Sequence, residues 1–131
     1  MMRLALLLML AFTSSVAAAP PSGTYIVAGG HFTIEPASRI DLSGRSSSEF
    51  TDLRWLTWTP THARATGMFL TNACNPSCAT GNKSAEPAHL ELSHVVSCRG
   101  KRVFDYFAVT GKRGRLLMTG SFRSLGYLLG C

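Results

Sequence analysis

The sequence predicts a single all-β domain: a small antiparallel sandwich or barrel of about seven to eight short strands, held together by disulfides. The chain has 131 residues, enough for one domain. Glycine and proline interrupt it throughout, and no long stretch repeats apolar residues with the helical period. Short runs rich in β-branched and aromatic residues lie between these interruptions. Four cysteines behind an N-terminal leader complete the pattern of a disulfide-stabilised exported domain.

The leader is Met1–Ala19, which has the three parts of a secretory signal peptide. Arg3 supplies the positive charge, Leu4–Phe12 is apolar, and Ser15–Ala19 consists of small residues and one valine. The apolar run is too short to span a bilayer, so we expect cleavage rather than anchoring. No later segment is apolar enough to cross a membrane. The sequence therefore predicts a signal peptide at residues 1–19 and one secreted β domain at residues 20–131.

Turn residues divide the secreted part into strand-like runs. Gly29-Gly30 predicts a two-residue hairpin turn, and Lys112–Gly114 predicts a second, basic turn. Ala37–Ser48 is loosely compatible with a helix, but its serine and glycine favour a loop. The predicted strands are Thr24–Ala28, His31–Glu35, Phe50–Trp58, Ala65–Thr71, His89–Val96, Arg102–Thr110, Arg115–Phe122 and Tyr127–Leu129.

Two strands carry further information in their alternation. Both faces of Arg102–Thr110 are apolar, which is typical of a central strand. Trp55 and Trp58 are three residues apart and would point to opposite faces of a regular strand. At least one is then expected at the surface. Packing at the rim of the core explains the pair; an aromatic platform for a sugar ring or another flat ligand is the alternative.

An even number of cysteines behind a leader indicates disulfides before metal binding or catalysis. Four cysteines permit three pairings. A proline-containing turn can bring Cys74 and Cys78 together, which leaves Cys98 to pair with Cys131. We favour this pairing, which would fasten the last residue of the chain to the end of a strand.

Cys74 and Cys78, with His89 and His94, imitate a zinc-finger spacing. The segment around the histidines alternates as a strand does, whereas a zinc finger holds its histidines on a helix. An oxidising compartment would also compete for the thiolates. We therefore expect neither a metal nor another cofactor.

Motifs that would indicate catalysis are missing from the sequence, including the nucleophile elbow, the zinc-protease helix and the phosphate-binding loops. Glu49, Asp52 and Asp105 could serve a glycosidase only if the fold brought two carboxylates about 5–9 Å apart. We assign no catalytic residue.

The formal net charge of +6 is concentrated at the C-terminal end. Between Pro20 and Cys98 there are five basic and six acidic residues, whereas seven basic residues and one acidic residue follow Cys98. If the cations converge, they form a patch suited to an anionic glycan, a cell-envelope polymer or a lipid head group. Solvated turns are the alternative, and the lack of interleaved aromatics argues against RNA. The candidate binding residues are Trp55, Trp58, Arg99, Lys101, Arg102, Lys112, Arg113 and Arg115, with Arg123 completing the basic set.

The segment from Phe50 to Arg102 resembles a group of small exported actinobacterial proteins of unknown function. The resemblance rests on a W-x-x-W strand, Trp55 to Trp58, followed by the loop C-N-P-S-C-A-T-G, Cys74–Gly81, which fits C-x-P-x-C-A-x-G. It implies export, a β-rich domain and a disulfide within the loop. It implies no activity, and neither Cys98 nor Cys131 is part of the two motifs that carry it.

These observations together predict an exported, non-enzymatic binding or envelope-associated protein that recognises an anionic surface through its C-terminal cations. Two alternatives stay open. One is a small secreted hydrolase acting on glycans. The other is a structural protein or a protease inhibitor that presents the Cys74–Cys78 loop.

Overall fold

The computed structural model describes residues 23–43, 47–75 and 77–131. The predicted signal peptide, Met1–Ala19, lies outside the described residues, as do the next three positions. No helix in the described part of the chain is long and apolar enough to cross a membrane.

Nearly all regular structure in these residues is β-strand, which confirms the predicted fold class. The one helical element is a single 3-10 turn at Lys112–Gly114, where the basic turn was predicted. The strands are β1 (Thr24–Ala28), β2 (His31–Thr33), β3 (Ile40–Asp41), β4 (Ser48–Trp58), β5 (Ala63–Asn72), β6 (Lys83–Cys98), β7 (Lys101–Thr110) and β8 (Leu116–Ser121).

All eight strands belong to one sheet, in the order β2-β1-β7-β6-β5-β4-β3, with β8 pairing with β7 beside β1. Every pairing is antiparallel except that of β1 with β7, where Thr24 lies opposite Arg102. The sheet curls until parts of β1 and β3 come within 8 Å of each other. The result is a half-barrel. As its apolar faces predicted, β7 is a central strand, with β6 on one side and β1 and β8 on the other.

The hydrophobic core fills the inside of the curl. Alternate residues of neighbouring strands form inward-facing rows, such as Ala65, Leu90 and Val109, which lie opposite one another and are almost fully buried. Phe107 and Phe122 pack with ring centroids 5.2 Å apart and are also fully buried. The outward-facing members of the same strands are therefore free to form a surface of their own.

Two local predictions were wrong. Tyr127–Leu129 forms no strand, because the chain turns repeatedly after β8 and both Gly126 and Gly130 have positive φ, 84° and 81°. Part of the segment expected to be a loop pairs with β4 as the short strand β3, where Ile40 lies opposite Phe50 and is fully buried. A two-residue strand is too short to leave an alternating pattern in the sequence.

Both predicted disulfides are present, Cys74 with Cys78 and Cys98 with Cys131. The second bridge joins the end of β6 to the last residue of the chain, with the two Cα atoms 4.9 Å apart. The first closes a small loop between β5 and β6. The side chain of Asn72 bonds across that loop, accepting from Cys74 N at 2.9 Å and donating to Cys78 O at 2.6 Å.

Candidate functional site

A groove of about 1060 Å³ crosses the solvent-facing side of the sheet over β4, β5, β6 and the C-terminal end of β7. Its floor follows from the strand registers, because residues opposite each other on neighbouring strands share a face. Arg54 lies opposite Thr66, Thr66 opposite His89, and His89 opposite Thr110. These four residues form a continuous row across four strands, about 14 Å long at the usual strand spacing.

The middle of this row is polar and has no lysine, arginine or carboxylate side chain. Thr66 and Thr110 each carry a hydroxyl that donates and accepts, and the imidazole of His89 between them does both through its two nitrogens. His89 is exposed, and the two threonines are half-buried. The row can therefore satisfy several hydroxyl groups of a ligand lying across the strands.

Cations surround the row. Four basic side chains line the groove against two acidic ones, Asp52 and Glu91. Glu91 is engaged by Arg64, with Nε and Oε2 3.6 Å apart. The other three cations form no ion pair with any described residue, and they lie at the two ends of the row: Arg54, Lys112 and Arg113. Arg54 shares its end of the groove with Asp52, so the excess positive charge lies at the Lys112 and Arg113 end, and that end can attract an anion.

Irregular backbone places these end residues. On β4 a β-bulge between Thr51 and Arg54 shifts the register, with Asp52 in a left-handed conformation at φ 53°. At the other end Arg113 has φ 59° in the turn between β7 and β8. Arg115, at the end of that turn, forms an ion pair with Glu86 of β6, at 3.7 Å.

The C-terminal cations do not converge into one patch. Arg99, Lys101 and Arg102 lie at the hairpin between β6 and β7, whereas Lys112–Arg115 lies at the opposite end of β7. The ten residues of β7 separate the two groups by about 30 Å. Of the predicted basic residues, only Lys112 and Arg113 line the groove.

The first group, with two aromatic neighbours, forms a second basic surface that we call the basic tip: Arg99, Lys101, Arg102, Tyr25 and Phe32. The Arg99 guanidinium carbon lies 4.5 Å from the centroid of the Phe32 ring. The Lys101 ammonium nitrogen lies 5.3 Å from the centroid of the Tyr25 ring. Both distances are those of cation–π contacts.

Trp55 and Trp58 lie on the core side of the sheet, away from the groove. A second bulge in β4 makes Leu56 an extra residue, so Trp55 pairs with Ala65 and Trp58 with Ala63 on the same inner face. The expectation that they point to opposite faces was therefore wrong. Both rings are partly buried against the core, and neither lines the groove, which matches packing at the core rim.

The three carboxylates considered for glycoside hydrolysis are dispersed. Glu49 forms a two-pronged ion pair with Arg39, with hydrogen bonds of 2.9 and 2.8 Å. Asp105 accepts a hydrogen bond from the backbone N–H of Arg123 at 2.9 Å, on the far side of β6 from β4. Asp52 alone lines the groove. In the described residues, no group of three or more His, Cys, Asp or Glu side chains is placed to hold a metal ion.

Sequence reasoning missed Arg54, Arg64, Thr66, His89 and Thr110 as groove residues. Alternation on β5 and β6 was the available signal, because it assigns outward faces to polar residues on each strand. Alternation within a strand does not specify how that strand is aligned with its neighbours, and it is this register that brings the polar faces into one row.

Comparisons with protein families, curated proteins and solved structures found no match to this chain. The geometry of the groove therefore carries the functional argument.

Proposed function

We propose that this is an exported binding protein without catalytic activity, and that its groove holds an acidic polysaccharide of the cell envelope or its surroundings. The observation that carries the proposal is the hydroxyl–imidazole–hydroxyl row of Thr66, His89 and Thr110 with unpaired cations at both ends. Two disulfides support an oxidising, extracytoplasmic location. The predicted leader and the resemblance to exported actinobacterial proteins point the same way.

A polysaccharide fits the groove better than the other anionic partners. Sugar hydroxyls match a row of hydrogen-bond donors and acceptors, and carboxylates match guanidinium groups. No phenylalanine, tyrosine or tryptophan is among the described groove-lining residues, which leaves the imidazole of His89 as the one aromatic ring there for stacking nucleic-acid bases.

The two alternative functions have less support. A hydrolase would need two carboxylates facing one another across the substrate, and here Glu49 is engaged by Arg39 while Asp105 lies strands away. A protease inhibitor would present an extended loop. The described part of the Cys74–Cys78 loop and the residues after it instead form a compact turn, in which the hydroxyl oxygens of Ser77 and Thr80 are 2.9 Å apart.

Calorimetric titration with short oligogalacturonate tests the proposal. The double variant R54T/R113N removes one cation from each end of the row, and asparagine tolerates the left-handed backbone of position 113. We expect it to bind about tenfold more weakly or worse at low salt. The matched control K83S/R123S removes the same charge from exposed positions outside the groove and should bind as the wild type does. Equal weakening by both variants would show a non-specific charge effect and contradict the proposal.

A further inference from the structure

The basic tip has three cations that the groove does not use. Arg99, Lys101 and Arg102 are all exposed, and none forms an ion pair with any described residue. An exposed cation cluster without counter-charges is available to an anionic ligand. Arg102, its cation nearest the groove along β7, is six residues from the groove-lining Ala108. This is about 20 Å, more than two Debye lengths at physiological salt, so the two surfaces act independently.

Aromatic rings hold two of these cations in place. A guanidinium over a ring has its face covered while its N–H edge stays free to bind a carboxylate. This is the position of Arg99 over Phe32, and Lys101 is held similarly by Tyr25. Side chains that are already restrained lose less conformational entropy when they bind. The tip is therefore preorganised for an anion.

The backbone of the tip adds a second observation. Arg99 has φ 50° and Gly100 has φ 74°, the two left-handed positions of a two-residue hairpin turn. Asparagine or glycine suits the first position better than arginine, so the sequence carries backbone strain at this point. The turn follows Cys98 directly, and the bridge to Cys131 fixes it. Strain of this kind, held by its surroundings, is typical of functional positions.

We infer that the basic tip is a second, independent binding site for acidic polysaccharide, and that one molecule cross-links two polymer chains. The second half of this inference rests on the proposed function of the groove. The tip and the groove lie at opposite ends of β7, so chains bound at the two surfaces are held apart. The protein is then a cross-linker of an anionic matrix rather than a monovalent ligand carrier.

Two measurements on the full secreted chain test the inference. Calorimetry with oligogalacturonate too short to span both surfaces should give two binding sites per wild-type molecule. The tip variant R99N/K101T/R102T, which keeps a favourable turn and strand-forming residues, should give one. Light scattering of long polygalacturonate should rise with wild-type protein and stay at baseline with the tip variant, although that variant still binds. Dextran, which is uncharged, should give no binding and no scattering.

The outcomes separate the tip from the groove. One site in the wild type, or two sites and unchanged scattering in the tip variant, would overturn the inference and leave the groove proposal standing. Loss of all binding in the tip variant, with none lost in R54T/R113N, would support the tip as a site and overturn the proposed function and cross-linking. Thermal unfolding checks the fold of each variant. If the triple variant does not fold, R99N alone should weaken the tip site while preserving the turn, and unchanged binding would count against the tip.

Discussion

Trp55 and Trp58 lie side by side on the inner face of β4, with ring centroids 4.8 Å apart and ring planes inclined by 40°. Their indole N–H groups donate hydrogen bonds to different segments of the chain. Trp55 donates to the carbonyl of Ala37 at 2.8 Å, and Trp58 donates to the carbonyl of Thr24 in β1 at 3.0 Å. Trp58 therefore ties β4 to β1 across the opening of the half-barrel, and Trp55 ties β4 to the segment before β3.

Replacing Trp58 with phenylalanine should destabilise the fold. The substitution removes the N–H donor to Thr24, a fully buried residue, and leaves a smaller ring in the same place. We expect a loss of about 1–3 kcal/mol in the free energy of unfolding, measured by urea denaturation. Leu56→Thr on the same bulge changes a side chain that is 63% exposed and should change this free energy little. Equal losses in the two variants would contradict the role given to the indole.

The tryptophan pair shows where sequence reasoning succeeded and where it failed. Residue types and turns identified seven of the eight strands, because β-branched and aromatic runs between glycines are a local signal. The bulge at Leu56 is not local: it depends on how β4 pairs with β5, and it reversed the predicted orientation of the rings. The parallel pairing of β1 with β7 is a long-range contact of the same kind.

The two disulfides should contribute unequally to stability. Cys98 and Cys131 are 33 positions apart, and Cys74 and Cys78 are four apart. A bridge stabilises mainly by restricting the unfolded chain. Replacing Cys98 and Cys131 with serines should therefore cost about 4 kcal/mol, and replacing Cys74 and Cys78 about 2 kcal/mol. Chemical denaturation of the two double variants under the same buffer measures the difference. A larger loss from the short loop would contradict this ranking.

Stability should fall at alkaline pH through Tyr127. Burial raises the pKa of Tyr127, and the charge of Asp41 and a hydrogen bond to it raise the pKa further. The unfolded tyrosine ionises near pH 10, whereas the native one keeps its proton to a higher pH. The native state then binds more protons than the unfolded state, so stability is fully present below about pH 10 and is lost as pH rises through the native pKa.

Tyr127→Phe isolates this contribution, because the other tyrosines are the same in both proteins. The free energy of unfolding at about pH 8 and about pH 11 should fall less in the variant than in the wild type. An equal fall in the two proteins would show that Tyr127 has no part in the alkaline loss.

Gly67 leaves no room for a side chain beneath the groove. A Cβ at this position of β5 would lie 2.6 Å from the backbone oxygen of Thr51 and 3.1 Å from the ring of Phe50. Gly67→Ala must therefore push β4 away and should cost about 1–3 kcal/mol. Thr66→Ala, one residue earlier and on the outer face, is the matched control and should leave the fold almost unchanged. A tolerated alanine at position 67, seen as an unchanged thermal midpoint, would contradict this packing.

The groove itself was only partly accessible from the sequence. The charge asymmetry correctly drew attention to Lys112 and Arg113. It also suggested that all the C-terminal cations form one patch, whereas β7 separates Arg99–Arg102 from Lys112–Arg115 by about 30 Å. No motif in the sequence marks His89 as a groove residue. Its position between Thr66 and Thr110 depends on two strand registers, which the local pattern of residues does not specify.

The most direct test of the groove is a nuclear magnetic resonance titration of isotope-labelled protein with short oligogalacturonate. Binding in the groove should shift the backbone amide signals of Thr66, His89 and Thr110 together, with one saturation curve, and the shifts should weaken as salt is added. A second set of shifts at the basic tip is compatible with this result. Shifts confined to residues outside the groove, or no shifts at saturating ligand, would contradict the account.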